Sequence, residues 1–244
     1  MDDLDRFEDD LIDQFRSHPV LGSLTSLEDD DFRDILLQRR FLSLAFTPAY
    51  DLAIDLLTDE EGLEIARVIL REEYPGPEGR TRSHREDMKE DLRRRGVPRR
   101  QLVESRPSET TVRAINSIME LISVAAGGDH ADARLLTILR FWGEVLVSEE
   151  YGLFWPRMAA RLSDGGKIRS VFYYPHHIHD AKASSLASTS LLSSTHSDQL
   201  GMRLWQLLEE PGARVGFREE ETKILEHKLA FYDQFSATVR QQVS

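Results

Sequence analysis

The densest chemistry in the chain is His176-His177-Ile178-His179-Asp180, which follows the aromatic run Phe172-Tyr173-Tyr174. On a helix, His176 and Asp180 stand four residues apart and share a face, with Cβ atoms roughly 5–6 Å apart. An imidazole and a carboxylate at that spacing can hold one metal ion or two adjacent ones. Histidines that merely fill core or surface positions are the bland alternative, weakened by three of them within five residues. Glu72 and Glu73 end an apolar helical stretch, and His84 opens the next across a loop containing Pro75 and Gly76. The junction can bring one glutamate to His84, whose ring a helix N-terminus keeps neutral, as ligation requires. A solvated helix end with a capping residue is the competing reading. Glu149 falls at helical spacing from Trp142, Val145, Leu146 and Leu153, so it is expected to project from an apolar face, where an unpaired carboxylate is costly. Glu144 belongs to another face with Phe141 and Ser148, and Glu150 is expected to be exposed. Of these, Glu149 rather than Glu144 is the expected bridging or terminal carboxylate. His196-Ser197-Asp198 after Thr195 reads first as a helix start, with ligation by His196 as the alternative. His130 and His227 show no partner pattern.

What is missing narrows the chemistry further. The 244 residues include no cysteine, which removes disulfides, thiolate nucleophiles and zinc–thiolate or iron–sulfur sites. Any metal must be held by oxygen and imidazole. There is no G-x-S-x-G, P-loop or G-x-G-x-x-G motif. A net charge of -12 disfavours nucleic acid as a partner, and the basic run 93–100 is read as a solvated helix end. No apolar run reaches the roughly 20 residues a membrane span needs. The acidic start Met1-Asp2-Asp3-Leu4-Asp5 does not resemble a secretory signal, so a cytoplasmic location and no membrane partner are expected.

The elements that must position these groups are helical from end to end. Leu4, Phe7, Leu11 and Phe15 repeat at three- and four-residue intervals. Ser26 opens a second stretch through Phe32, Leu36, Phe41 and Leu44, and Thr47-Pro48 is expected to restart the chain. Thr58-Asp59-Glu60-Glu61 and Ser83-His84-Arg85-Glu86 both read as capping boxes. Tyr74-Pro75-Gly76-Pro77 stops the first of these helices, and Gly96 with Pro98 stops the second. Further helices are expected over 110–126 and 132–151, then a short one from Pro156 to about Leu162. Tyr174-Pro175 introduces the histidine-rich helix, and 197–209 and 219–239 complete the set, with 184–195 a Ser/Thr-rich loop or frayed helix. Seven or more helices with short links and no compositional break predict an all-α bundle in one domain, 1–244, with any metal site in its core.

Taken together, these residues resemble the heme-oxygenase-like diiron oxidases and oxygenases, a seven-helix-bundle family, over most of the chain. The resemblance lies in Gln38-Arg39-Arg40-Phe41, the Glu72-Glu73-Tyr74 helix end, the Ser83-His84 helix start and the order of the later motifs. It implies that Glu73, with Glu72 as the alternative, and His84 are iron ligands. A Gly-plus-six pattern, Gly143 to Glu149, implies Glu149 as a third. The last ligand helix of the family reads His-x-x-x-Asp-x-x-His after an aromatic pair. His176 and Asp180 match, but Ala183 stands where the final histidine belongs. The resemblance therefore implies two Fe(II) per chain, the second held more weakly unless His179, His196 or water substitutes, with O2 as co-substrate. It implies an oxidase or oxygenase acting on an unactivated C–H or an amine of a small molecule. The best-fitting branch desaturates or cyclises free aliphatic amino acids in natural-product pathways. A homodimer and an external electron donor are compatible with it. A metal-free enzyme on the same bundle, or a helical interaction protein without activity, are the other readings.

Overall fold

The computed structural model describes residues 2–76, 81–188 and 195–242, so Pro77 and positions 189–194 of the Ser/Thr-rich stretch lie outside the described residues. The architecture is all-α. In chain order the helices are α1 (Asp2–Arg16), α2 (Pro19–Gly22), α3 (Asp29–Leu56), α4 (Glu60–Glu72), α5 (His84–Arg95), α6 (Arg99–Glu104) and α7 (Glu109–Ala126). Then come α8 (Ala131–Ile138), a π-helical segment (Leu139–Val145), α9 (Leu146–Leu162), α10 (Tyr173–His179), α11 (His196–Leu207), α12 (Pro211–Asp233) and α13 (Ser236–Gln242). A two-residue antiparallel pairing, Ser163-Asp164 with Lys167-Ile168, is the extended structure among the described residues.

Helix starts follow local chemistry. Ser83 accepts from the Glu86 amide while the Glu86 carboxylate accepts from the Ser83 amide, a complete capping box that fixes the position of His84. Gly96 closes α5 in the left-handed conformation at φ 104°. Asp59, not Thr58, caps α4, because the Thr58 hydroxyl is bonded to Asp132 on α8 instead.

Three boundaries differ from the periodicity reading. Pro48 does not restart the chain: α3 runs through it for 28 residues. Ala45, Ala49, Tyr50 and Ala53 are buried on either side, so packing holds the helix past the missing hydrogen bond. Pro156 likewise sits inside α9. The last long helix begins at Pro211, whose ring suits a first-turn position, rather than at Glu219.

A contiguous apolar core runs from Leu4 to Val239. α3 packs on α7, α12 on α7, α8 and α1, and α10 on α9. The π segment lies in the middle, touching α11, α8, α9, α12 and α3.

Candidate metal centre

Two trios of donors converge inside the bundle. Glu73, His84 and His176 form one, and Glu144, Asp180 and His196 the other; within each, one donor atom per residue lies within 4.8 Å of the others. Each donor is placed by a helix end or irregularity. Glu73 is the C-cap of α4 and His84 the first residue of α5, and His84 Nδ1 lies 2.7 Å from Glu73 Oε1. His176 and Asp180 lie one turn apart at the end of α10, with Nδ1 2.9 Å from Oδ2, which joins the two trios. His196 is the first residue of α11, whose start is fixed by Thr195 accepting from the Asp198 amide.

The anchor of α10 is a residue that sequence reasoning missed. Phe172 provides no side-chain cap. Instead Asp91, fully buried on α5, accepts from Ser170 Oγ (2.6 Å) and from the amides of Val171, Phe172 and Tyr173. One carboxylate thus ties the helix carrying His84 to the helix carrying His176 and Asp180. Local pattern hinted only that an acid on α5 was hidden, since Asp91 stands between Met88 and Leu92, both buried. His177 fastens the other side of α10. Its Nδ1 is 3.0 Å from the Ser148 carbonyl and its own carbonyl accepts from Ser148 Oγ. Gly152 makes room for it, since a Cβ there would lie 2.7 Å from the ring.

Glu149 requires a correction. It lies outside both trios, pairing at 2.7 Å with Arg16 of α1 near the surface, while Glu144 is 1% exposed and sits in the cluster. The cause is the π segment. Its widened turns carry an extra residue, so residues before and after it do not keep the phase of a regular helix. Glu144 accepts from the Tyr50 hydroxyl, and Gly143 permits the close approach, because a Cβ would meet Tyr50 at 3.1 Å and Phe46 at 3.2 Å. Glu150, expected at the surface, is fully buried and accepts from Arg39, Lys228 and Tyr232.

The alternatives sort by position as well. Glu72 reaches His196, with Oε2 3.4 Å from Nε2, but stands half-exposed outside the trios. His179 is exposed at the end of α10. Ala183 lies beyond that end and on no helix, whereas the His196 ring on the next helix lies 3.4 Å from Glu144 and 3.5 Å from Asp180.

Acidic and imidazole groups perturb one another strongly in the cluster. Burial raises the Glu144 pKa and the neighbouring Asp180 adds to this. Burial also works to raise Asp180, but His176 and His196 outweigh it and hold it low. Burial would lower His196, yet contacts to Asp180, Glu144 and Glu72 push it up to about 12. His176 is raised against its burial by Asp180. Asp180 Oδ1 makes no hydrogen bond although buried. Three carboxylates and three imidazoles, one oxygen orphaned and no sulfur, fit a pair of divalent first-row ions of the kind oxygen and nitrogen donors hold.

Both trios open onto a cavity of about 420 Å³. Its apolar wall includes Leu42, Phe46, Ile69, Trp142, Val147 and Phe172. Arg39 and Lys228 also line the cavity, each 3% exposed, with Glu150 as their shared carboxylate. Two cations against one anion leave that part of the lining a net positive charge.

No family model matches the chain, and no curated protein matches it. Solved structures do. A CADD-like protein of unknown function from Nostoc punctiforme superposes with a TM-score of 0.64 at 10% identity, over 100% of both chains. A TenA family transcription regulator from a Silicibacter species superposes with a TM-score of 0.59 at 13% identity, over 94% of each. At these identities the likeness is one of fold, the heme-oxygenase-like helical fold. No helix of the described residues is long and apolar enough to cross a membrane.

Proposed function

We propose that this protein is a nonheme diiron, O2-dependent oxidase or oxygenase acting on a small carboxylate-bearing substrate, with a free aliphatic amino acid as the best candidate. The observation that carries the reading is the pair of donor trios facing an apolar cavity with a cationic wall. Glu73, His84 and His176 would hold one iron; Glu144, Asp180 and His196 the other. The first position has two imidazoles and the second only one, so the second is the weaker. Two ferrous ions held at these positions would supply the reduction of O2 and the oxidising power for a C–H or amine.

The chain's own residues do the rest. Arg39 and Lys228 receive the substrate carboxylate, and the apolar wall takes the aliphatic side chain and excludes water. Tyr50 donates to Glu144 and holds its carboxylate in one orientation. Asp91 and Ser148 fix α10 so that His176 and Asp180 keep their spacing. Desaturation removes two electrons and two protons from the substrate, whereas O2 takes four electrons to become two waters. The remaining two electrons come from an external donor.

Anaerobic Fe(II) titration followed by O2 tests the reading. Two equivalents should bind, and aliphatic amino acids should accelerate O2 consumption. A metal-free enzyme on this fold, or an interaction protein, would bind no stoichiometric iron.

A further inference from the structure

A second concavity of about 770 Å³ lies beside the first, between α3, α5, α6 and the α6–α7 connection. It is lined by Arg40, Arg85, Lys89, Arg93, Arg99 and Arg106, and no acidic side chain lines it, in a chain whose net charge is -12. Of the six, Arg93 has a carboxylate partner, Glu90. Arg106 donates to backbone carbonyls, and Arg85, Lys89 and Arg99 form no ion pair among the described residues. Arg40 is the telling member. Its side chain is 7% exposed, and it donates to the Leu102 carbonyl and Ser105 Oγ, while its Nε has no partner. A buried guanidinium without a carboxylate is costly, and burial together with the facing Arg85 lowers its pKa. Of the basic run 93–100, which reads in sequence as a solvated helix end, Arg93 and Arg99 line this groove, whereas Arg94, Arg95 and Arg100 do not.

We infer that the groove binds the phosphate groups of a small molecule, with Arg40 at its base as the desolvated contact and Arg85, Lys89 and Arg99 around it. Guanidinium forks match phosphate oxygens in pairs, and several cations favour a diphosphate over a single carboxylate. The volume is that of a ligand pocket, and Phe41 and the 65%-exposed Val103 offer apolar surface to the rest of the molecule. The recess also argues for a slender group: an almost fully buried guanidinium can be reached by a phosphate but not by a flat acidic protein face. Leu44, Arg85 and Met88 line both this groove and the metal-facing cavity, so the ligand sits at the mouth of that cavity. The inference stands on residues outside both donor trios and does not depend on iron.

Calorimetric titration of the full-length chain with inorganic pyrophosphate tests it, with sulfate at matched ionic strength and a short polyglutamate peptide as comparators. One saturable site per chain is expected, with pyrophosphate preferred over both. The Lys89→Ala/Arg99→Ala pair should weaken it at least fivefold and Arg40→Gln at least tenfold. Arg100→Ala should leave it unchanged, because Arg100 pairs with Glu104 and does not line the groove. Should Arg40→Gln fail to fold, the Lys89/Arg99 pair still decides. No saturable binding would overturn the inference. So would equal losses in Arg100→Ala and the Lys89/Arg99 variant, which would show diffuse charge alone. Polyglutamate binding more tightly than pyrophosphate would reassign the groove to an acidic protein partner.

Discussion

Three glutamates within seven residues, Glu144, Glu149 and Glu150, have three different environments, and the same isosteric change at each should give three separable results. Glu149→Gln breaks a pair with Arg16 in which the side chains are 21% and 48% exposed. Such pairs contribute about 0–1 kcal/mol, so stability should hardly move and two irons should still bind. Glu150→Gln leaves Arg39 and Lys228 buried against a neutral amide. Breaking a buried pair on one side costs about 3–5 kcal/mol. With a urea dependence of about 3 kcal/mol/M, the unfolding midpoint should fall by about 1–2 M, while iron stoichiometry at low urea stays at two. Glu144→Gln keeps the side-chain volume and relieves the repulsion with Asp180, so the metal-free protein should be no less stable than its parent. It removes a ligand, however, and a lost ligand should exceed the roughly 10–100-fold affinity loss that an outer partner causes. One iron should therefore remain where two were. Urea unfolding followed by circular dichroism and anaerobic Fe(II) titration read the two quantities independently. If Glu149→Gln loses an iron and Glu144→Gln keeps both, the phase argument from the π segment fails.

Asp91→Ala should strip α10 of its anchor and expose four donors, costing about 1–3 kcal/mol and speeding amide exchange over 171–176 more than elsewhere; unchanged exchange there would refute the anchoring role. Lys228 has its pKa lowered to about 8 by burial, with Arg39 adding to this against Glu150, so it is charged below that pH and neutral above. KM for a carboxylate substrate should rise as pH passes about 8, and Lys228→Met should have a high KM without that pH dependence. Glu221 is buried with both oxygens unbonded, and burial, with Glu8 adding, raises its pKa well above 4.5. The folded state then holds a proton that the unfolded state has released, so stability is lost as pH rises from 4.5 towards the folded value. Glu221→Gln should remove that loss, melting higher than the parent at pH 7 and near it at pH 4; equal melting temperatures throughout would mean the carboxyl is not strained.

Much of the site is written in local sequence. Ser83 and Glu86 fix where α5 begins, the end of α4 and the start of α5 meet at Glu73 and His84, and four-residue spacing puts His176 beside Asp180. These are contacts between near neighbours, governed by capping chemistry and helical period, so residue types alone determine them. Other parts were settled only by tertiary structure. A regular 3.6-residue period assigns Glu149 to the interior, but no local signal marks where a helix widens. The π segment is held by contacts from α3, where Tyr50 and Phe46 press on Gly143 and Tyr50 bonds to Glu144. His196 is sixteen residues beyond Asp180 in sequence, and only the packing of α11 brings its ring beside Glu144 and Asp180. Glu150 is expected at the surface, yet Arg39 and Lys228 arrive from α3 and α12 to neutralise it. Burial and partner choice depend on what packs from a distance, and periodicity along one helix cannot report that.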